Sequence, residues 1–320
     1  MTLAAAHPLE RPRTGTMVNM YRGYRVAIVP EHGSRGAELS KSPIEKAGIL
    51  VAVIAPLVGV VVAIVQVWQR LVTPLDIGLL LGLYAATGLG ITVGFHRMLT
   101  HRSFEAHPAV RALFLALGSM AVQGPALDWA SNHIKHHAKT DTDEDPHSPL
   151  NGFIHAHVGW LFTGKVAEPE IYGRWMLKDP MAMFFSRTFL LWIAAGLLIP
   201  YAIDGWRGFV WGGLVRVFLL HHVTWSVNSV CHVFGRRDYD TPDRSTNQWI
   251  VGILAFGEGW HNNHHAFPRS AFHGLRWWQI DLSGYIIRLL ERLGLAKRVW
   301  RPPVASIYER GAHAGWAPRP

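Results

Sequence analysis

From Ala47 to Trp68 the chain carries no charged side chain, with Lys46 before the run and Arg70 after it. A helix of that length, rising about 1.5 Å per residue, covers a hydrocarbon core of about 30 Å. The segment therefore commits the chain to a membrane. A second uncharged run, Ile77 to Phe95, follows across Thr73-Pro74-Leu75-Asp76, a short turn of the kind that joins antiparallel neighbours. A third, Thr188 to Ile203, and a fourth, Phe209 to Val230, flank Asp204-Gly205-Trp206-Arg207-Gly208 and read as a second hairpin. The fourth carries Arg216, His221, His222 and Asn228, polar groups that are tolerated at that depth where they face other helices or a cavity. The stretch Ala112 to Leu127 is short for a crossing and ends in Gly124-Pro125, so it is expected to be a buried or embedded segment. Residues 274–294 mix Ile286, Ile287, Leu289, Leu290 and Leu293 with Arg288, Glu291 and Arg292 behind Trp277-Trp278, which predicts an amphipathic interfacial helix with an aromatic anchor.

The expected architecture is an all-α integral membrane protein with four transmembrane helices in two hairpins. A flexible cytosolic leader, 1–46, precedes a body, 47–295, and a tail, 296–320. No signal peptide is visible and no internal repeat. With 31 Lys and Arg against 22 Asp and Glu, the formal charge of +9 would suit nucleic acid or an anionic membrane face. Placing two hairpins on the sequence puts 28 of the 31 basic residues on one side, with only Arg70 and Arg207 opposite and Arg216 inside a span. The positive-inside rule then sets both termini and the large loop in the cytosol. Topology accounts for the charge, and no nucleic-acid module is recognisable. The lone Cys231 excludes an intramolecular disulfide framework, a four-Cys zinc site and a thiolate-held iron–sulfur cluster.

The 19 histidines are the anomaly. Eight fall into three tight sets on the cytosolic side: His96-Arg-Met-Leu-Thr-His101, His133-Ile-Lys-His136-His137 and His261-Asn-Asn-His264-His265. In HxxHH the first imidazole shares a helical face with the other two, and adjacent imidazoles splay by about 100°, enough to serve two neighbouring metals. Asn228 and His232, four apart at the end of the fourth span, are expected to share a face. Imidazole suits Fe, Zn, Cu and Ni, and one zinc needs only three or four ligands, so this many histidines argue for a dinuclear site. His7, His32, His107, His273 and His313 are expected to have no special role. No HExxH, GxGxxG or P-loop occurs, which removes zincin, flavin, NAD and ATP chemistry. The acidic run Asp141-Thr-Asp143-Glu-Asp145 lacks the EF-hand Gly and Glu and is expected instead to cap the loop or to orient the imidazoles.

Together, HRMLTH, NHIKHH-AKTDTDEDPH, HVGW, NSVCHVFGRRDYD and GEGWHNNHHAFP, in that order between those spans, resemble the membrane fatty acyl desaturases of the stearoyl-CoA delta-9 type, over residues 47–295. The resemblance implies a cytosolic helical cap holding a di-iron centre. Two Fe2+ ions would be bound by His96, His101, His133, His136, His137, His232, His261, His264 and His265, with Asn228 reaching one through water. It also implies a bent acyl tunnel lined by Gln123, Trp129 and Thr224, and a cis double bond placed, at delta-9, in a saturated acyl chain carried by CoA. Where the animal enzymes have Arg-Asp before the second box this chain has Ser131-Asn132, which is expected to bear on the carrier. His222 stands where that pattern has Asn, and His221 has no counterpart.

Removing hydrogen from unactivated methylenes needs a strong metal-based oxidant, and each turnover needs O2 and two electrons that this chain has no group to store. A separate ferredoxin, or a cytochrome b5 with its reductase, is expected to dock on the basic surface containing Arg236, Arg237 and Arg269. The alternatives are an acyl-lipid desaturase, a histidine-box di-iron hydroxylase and, in a different class, a metal transporter or sensor.

Overall fold

Local capping signals open the first two long helices. In helix α1 (Pro43–Trp68) Ser42 Oγ accepts from the Glu45 N–H while the Glu45 carboxylate accepts from the Ser42 N–H at 2.9 Å, with Pro43 at the first helical position. Helix α2 (Pro74–Leu89) repeats the device with Thr73, Pro74 and Asp76. Each is a reciprocal capping box followed by a proline that suits the first turn. The computed structural model describes residues 41–163, 166–309 and 311; most of the expected leader, with His7 and His32, and the tail from 312, with His313, lie outside the described residues.

The α2 helix continues into Gly90–Thr100, which is wound as a π-helix. Helix α1 leaves Leu50, Val51, Val58, Val61 and Ile64 exposed and turns Pro56, Gly59, Ala63 and Gln66 inward. An outward apolar face of that extent suits lipid. Inside, Trp211 Nε1 donates to Gln66 Oε1 at 2.8 Å, an interhelical hydrogen bond of the kind that joins membrane helices.

Three helical stretches among the described residues are long and apolar enough to cross a membrane: Pro43–Trp68, Pro74–Thr100 and Phe189–His232. The third is not straight. Asp204 (φ −138°, ψ 30°) and Gly205 (φ 54°, ψ −139°) leave helical space, and the chain doubles back there. Arg216 donates to Gly196 O at 2.8 Å, and Gly208 and Gly212 pack on Pro200, so the two limbs lie against each other. Arg207 pairs with Asp204 and lies 3.9 Å from Asp76, which sets both tight connections, 69–73 and 204–205, at one end of the bundle.

Between these hairpins α3 (Pro108–Ser119) spans only about 18 Å at 1.5 Å per residue and packs along the π-helix, as a short embedded segment should. The second histidine set rides on α4 (Ala126–Lys139), after which α5 (Phe153–His157), α6 (Pro169–Tyr172) and α7 (Pro180–Arg187) lead to α8 (Phe189–Gly208). The return limb is a π-helical turn, Phe209–Val215, continued by α9 (Arg216–Ser229). Then come α10 (Trp249–Leu254), α11 (His261–Ala266), α12 (Leu282–Arg292) and α13 (Val304–Glu309). One antiparallel pair, β1 (Glu105–Ala106) with β2 (Ala296–Lys297), ties the C-terminal part to the end of the second stretch.

The interfacial helix expected over 274–294 is shorter than that. Gln279 Oε1 accepts from the Leu275 and Arg276 N–H groups, and Asp281 accepts from His273 N–H and caps Gly284, so the chain stays a loop until residue 282. Along α12, Tyr285 and Leu289 are exposed and Ile287 is buried.

Candidate metal centre

Five residues apart on an α-helix, His96 and His101 would point about 140° away from each other. The π-helix removes that conflict. His101 N–H donates to His96 O at 3.0 Å, and the two ring centroids come to 4.7 Å. On α4 and α11 the three imidazoles of each box divide. His133 and His137, one turn apart, join His96, His101 and His264; His261 and His265, one turn apart, join His136 and His232. Each helix thus gives two ligands to one group and one to the other. Within each group one donor atom per residue lies within 4.8 Å of all the others. All nine expected histidines are brought together. His232 enters from a 3-10 turn, Val230–His232, after α9 has ended, so it does not share a helical face with Asn228 as the spacing predicts.

In the first group the Nε2 atoms of successive neighbours stand 3.2 Å (His96–His264), 2.9 Å (His264–His137), 3.0 Å (His137–His133) and 3.1 Å (His133–His101) apart. In the second, His261 Nε2 is 3.0 Å from those of both His232 and His265. Two imidazoles at right angles about a metal, each about 2.1 Å from it, have donor atoms about 3.0 Å apart.

Carboxylates fix the tautomers. Asp145 lies 2.9 Å from His136 Nδ1, Asp141 3.2 Å from His232 Nδ1, Asp243 2.9 Å from His265 Nδ1 and Glu258 2.6 Å from His96 Nδ1. Burial would raise the Asp145 carboxyl, but His136 and His147 beside it outweigh that and hold it well below the usual range. A carboxylate only accepts, so these Nδ1 atoms carry a hydrogen and Nε2 is left as the atom that can face a metal. Burial also pushes His101, His133, His137, His261, His264 and His265 well below the ordinary histidine value, so they are neutral. His136 Nε2 is buried with no hydrogen-bond partner. Lone pairs converging at such distances repel unless a cation sits among them. The all-imidazole donor set selects a first-row transition metal over magnesium or calcium, and carboxylate-backed histidines are the usual support of such an ion. The residues fit two metal ions.

Glu258 and His273 were missed from the sequence. Glu258 Oε2 also lies 3.2 Å from His273 Nδ1, and Oε1 accepts from Arg97 Nε and Nη2 at 3.3 and 3.2 Å. His273, expected to have no special role, is buried with its ring 4.4 Å from that of His264. His107 accepts from Ala109 N–H at the start of α3.

An apolar cavity is lined by Ile91, Leu220, Val223, Val227 and Phe256 together with His96, His133, His261 and Asn228. Trp129 and Thr224 also line it, and Gln123 stands behind them. Trp129 Nε1 donates to Gln123 Oε1 at 3.1 Å and Gln123 Nε2 donates to Thr224 Oγ1 at 3.0 Å. Trp129 also stacks on His133, at 5.3 Å between centroids and 21° between planes. Ser131 is buried against Gly173, and Asn132 accepts from Ala167 N–H, so both side chains engage the segment 167–173. Of the expected donor surface, Arg236 and Arg269 are exposed, whereas Arg237 donates to the carbonyls of Thr241, Asp243 and Ser245 and braces the loop that carries Asp243.

The sequence model of the fatty acid desaturase family matches residues 74–289. The chloroplastic palmitoyl-monogalactosyldiacylglycerol delta-7 desaturase of Arabidopsis thaliana is 46% identical over 230 residues, 70% of this chain and 62% of that protein, so the match spans less than two thirds of that relative. The sn-1 stearoyl-lipid 9-desaturase of Anabaena variabilis is 45% identical over 227 residues, 70% of this chain and 83% of that protein. The acyl-CoA C20 Delta5-desaturase of Anemone leveillei is 46% identical over 234 residues, 71% and 74% of the two chains.

Proposed function

The chain belongs to the fatty acid desaturase family, and from that premise we propose that it is an O2-dependent enzyme placing a cis double bond, at delta-9, in a saturated acyl chain. The observation that carries the reading is the apolar cavity lined by histidines of both groups. His96, His101, His133, His137 and His264 would hold one iron and His136, His232, His261 and His265 the other, and the bound pair would supply the O2-derived oxidant that removes two hydrogens from adjacent methylenes. The cavity's apolar wall admits the chain and excludes water, while Trp129, Gln123 and Thr224 hold one methylene pair in place. Both electrons come from a separate ferredoxin or cytochrome b5 docking near Arg236 and Arg269. Acyl-CoA is the carrier in this reading. An acyl-lipid is the second, favoured by the similarity to a stearoyl-lipid desaturase.

Expression in cells, followed by mass spectrometry and double-bond localisation of total fatty acids, tests the proposal. Products should have lost one hydrogen from each of carbons nine and ten. Gain of one oxygen instead would make the chain a hydroxylase, and an unchanged profile with O2 and a donor present would end the reading. Purified protein offered acyl-CoA and acyl-glycerolipid side by side decides the carrier.

The same reading has four crossings in two hairpins, with both termini and a cytosolic cap on the side that holds 28 of 31 basic residues. Cys231 is buried, so introduced cysteines report alone. Trp206→Cys should react with a membrane-impermeant maleimide on intact cells, and Glu144→Cys only after lysis. Labelling in the opposite sense would invert the topology.

A further inference from the structure

We propose that His221 and Arg216 are positioning residues that decide where the double bond is placed, by fixing the loop Met120–Gly124 and, through Gln123, one wall of the acyl cavity. The inference rests on the acyl-cavity reading above and names the part of the molecule that sets its shape.

Helix α3 stops at Ser119, inside the bundle, and the carbonyls of Met120, Ala121 and Val122 have no further turn of helix to receive them. Water does not serve such groups at membrane depth. Helix α9 takes all three. Arg216 Nη1 donates to Met120 O at 2.8 Å, and His221 Nε2 lies 3.1 Å from Ala121 O and 3.0 Å from Val122 O. Both His221 acceptors are carbonyls, so Nε2 carries the hydrogen and shares it between them. Arg216 also donates to Gly196 O on α8 and to Gly212 O, at 2.8 and 3.0 Å, and so ties both limbs of the second hairpin to the loop. A guanidinium at a helix C-terminus is favourably placed against the helix dipole.

The loop does not hold this shape unaided. Val122 sits at φ 61°, in the left-handed region that a β-branched residue rarely enters and that persists where the surroundings over-determine it. The next residue is Gln123, whose amide joins Trp129 to Thr224. Arg216, Leu220, Thr224 and Asn228 recur every four residues along one stripe of α9. His221 lies three residues before Thr224, on the flank of that stripe, so one helix, α9, clamps the loop, receives its glutamine and lines the cavity. Regioselectivity demands that one methylene pair stay close to the metal groups, and such a wall has a tolerance of about 0.5 Å. Freeing the Ala121 and Val122 carbonyls lets Gln123 shift by more than that.

The test compares His221→Leu, His221→Gln, His221→Leu combined with Val122→Gly, and Thr224→Trp with the unaltered chain, reading double-bond positions in host lipids and iron content of the purified protein. His221→Leu should raise the ratio of minor to major positions about tenfold with iron retained. His221→Gln keeps an N–H donor and should bring the ratio back to within about twofold of the parent. Val122→Gly removes the strain at φ 61° without touching α9, so the loop then needs the clamp less. His221→Leu combined with Val122→Gly should bring the ratio part of the way back towards the parent, and the double variant decides the matter if His221→Leu alone does not accumulate. A uniform loss of rate with an unchanged positional profile in His221→Leu and in the double variant overturns the clamp, because that is what a merely structural histidine gives. Thr224→Trp separates the two readings. If it alone shifts the profile, the cavity stands and the clamp falls; if no variant shifts it, the cavity assignment fails and the clamp with it.

Discussion

Replacement of His136 by alanine is expected to take desaturation below detection and to lower bound iron from about two equivalents to about one. His136 stands in the second histidine group with a buried Nε2 that no protein group satisfies, while Asp145 holds its Nδ1 at 2.9 Å. Alanine removes the Nε2 lone pair. His264→Ala should give the same loss of activity by emptying the other group, leaving the iron held by His136, His232, His261 and His265. Asp145→Asn is the graded control. The amide still reaches His136 but no longer selects its tautomer, and loss of such a partner costs about 10–100-fold in metal affinity or activity. Metal analysis beside activity decides the matter. Full activity in His136→Ala, or unchanged iron in both alanine variants, would remove the two-group assignment.

The order of these effects reflects what a sequence can display. Three apolar stretches and the first connection were legible because uncharged runs of span length bracket Thr-Pro-Leu-Asp, whereas the capping boxes at Ser42 and Thr73 came to light only in the structure. The reversal at Asp204-Gly205 was legible for a similar reason, since Gly205 takes a positive φ without cost. The division of HxxHH between two groups followed from the splay of adjacent imidazoles. Which imidazole joins which group did not, because that depends on how α4 and α11 meet in space. The π-helix was invisible: the five-residue spacing of His96 and His101 contains the requirement, but the winding is set by packing against α3. Partners close in sequence, Asp141 and Asp145, were legible as an acidic run beside a box. Glu258 was not, because it meets Arg97 from 161 residues away. Ser131 and Asn132 show a different limit. Comparing a motif gives a residue's position in the chain but not its burial, and Ser131 is sealed against Gly173.

Arg97→Met is expected to give the largest loss of stability of any single substitution in the described residues, about 3–5 kcal/mol. Arg97 is fully buried and meets Glu258 at 3.2 Å, Asp281 at 2.9 Å and the Ala271 carbonyl at 2.9 Å. Both carboxylates are nearly sealed, at 8% and 4% exposure, so methionine would fill the space and leave two buried negative charges without their counter-ion. Folded proteins hold only about 5–15 kcal/mol in all, so accumulation and the inactivation temperature in detergent should both fall sharply. The damage should also reach the metal groups. Asp281 holds His273 N–H and caps α12 at Gly284, and Glu258 holds His96 Nδ1 at 2.6 Å, so protonating either carboxyl to relieve the repulsion removes an acceptor these groups need. Arg97→Lys keeps the charge but loses the planar fork that reaches both carboxylates and a carbonyl at once, and should fall between parent and Met. The triple change Arg97→Met, Glu258→Gln, Asp281→Asn separates charge from geometry. With no buried charge left, stability should recover in large part, while activity stays low because an amide in place of the Glu258 carboxylate no longer fixes the tautomer of His96. If Arg97→Met alone matches the parent in inactivation temperature, the ion network is not what holds the third box against the π-helix, and packing by Ile287 and Phe272 must do so instead.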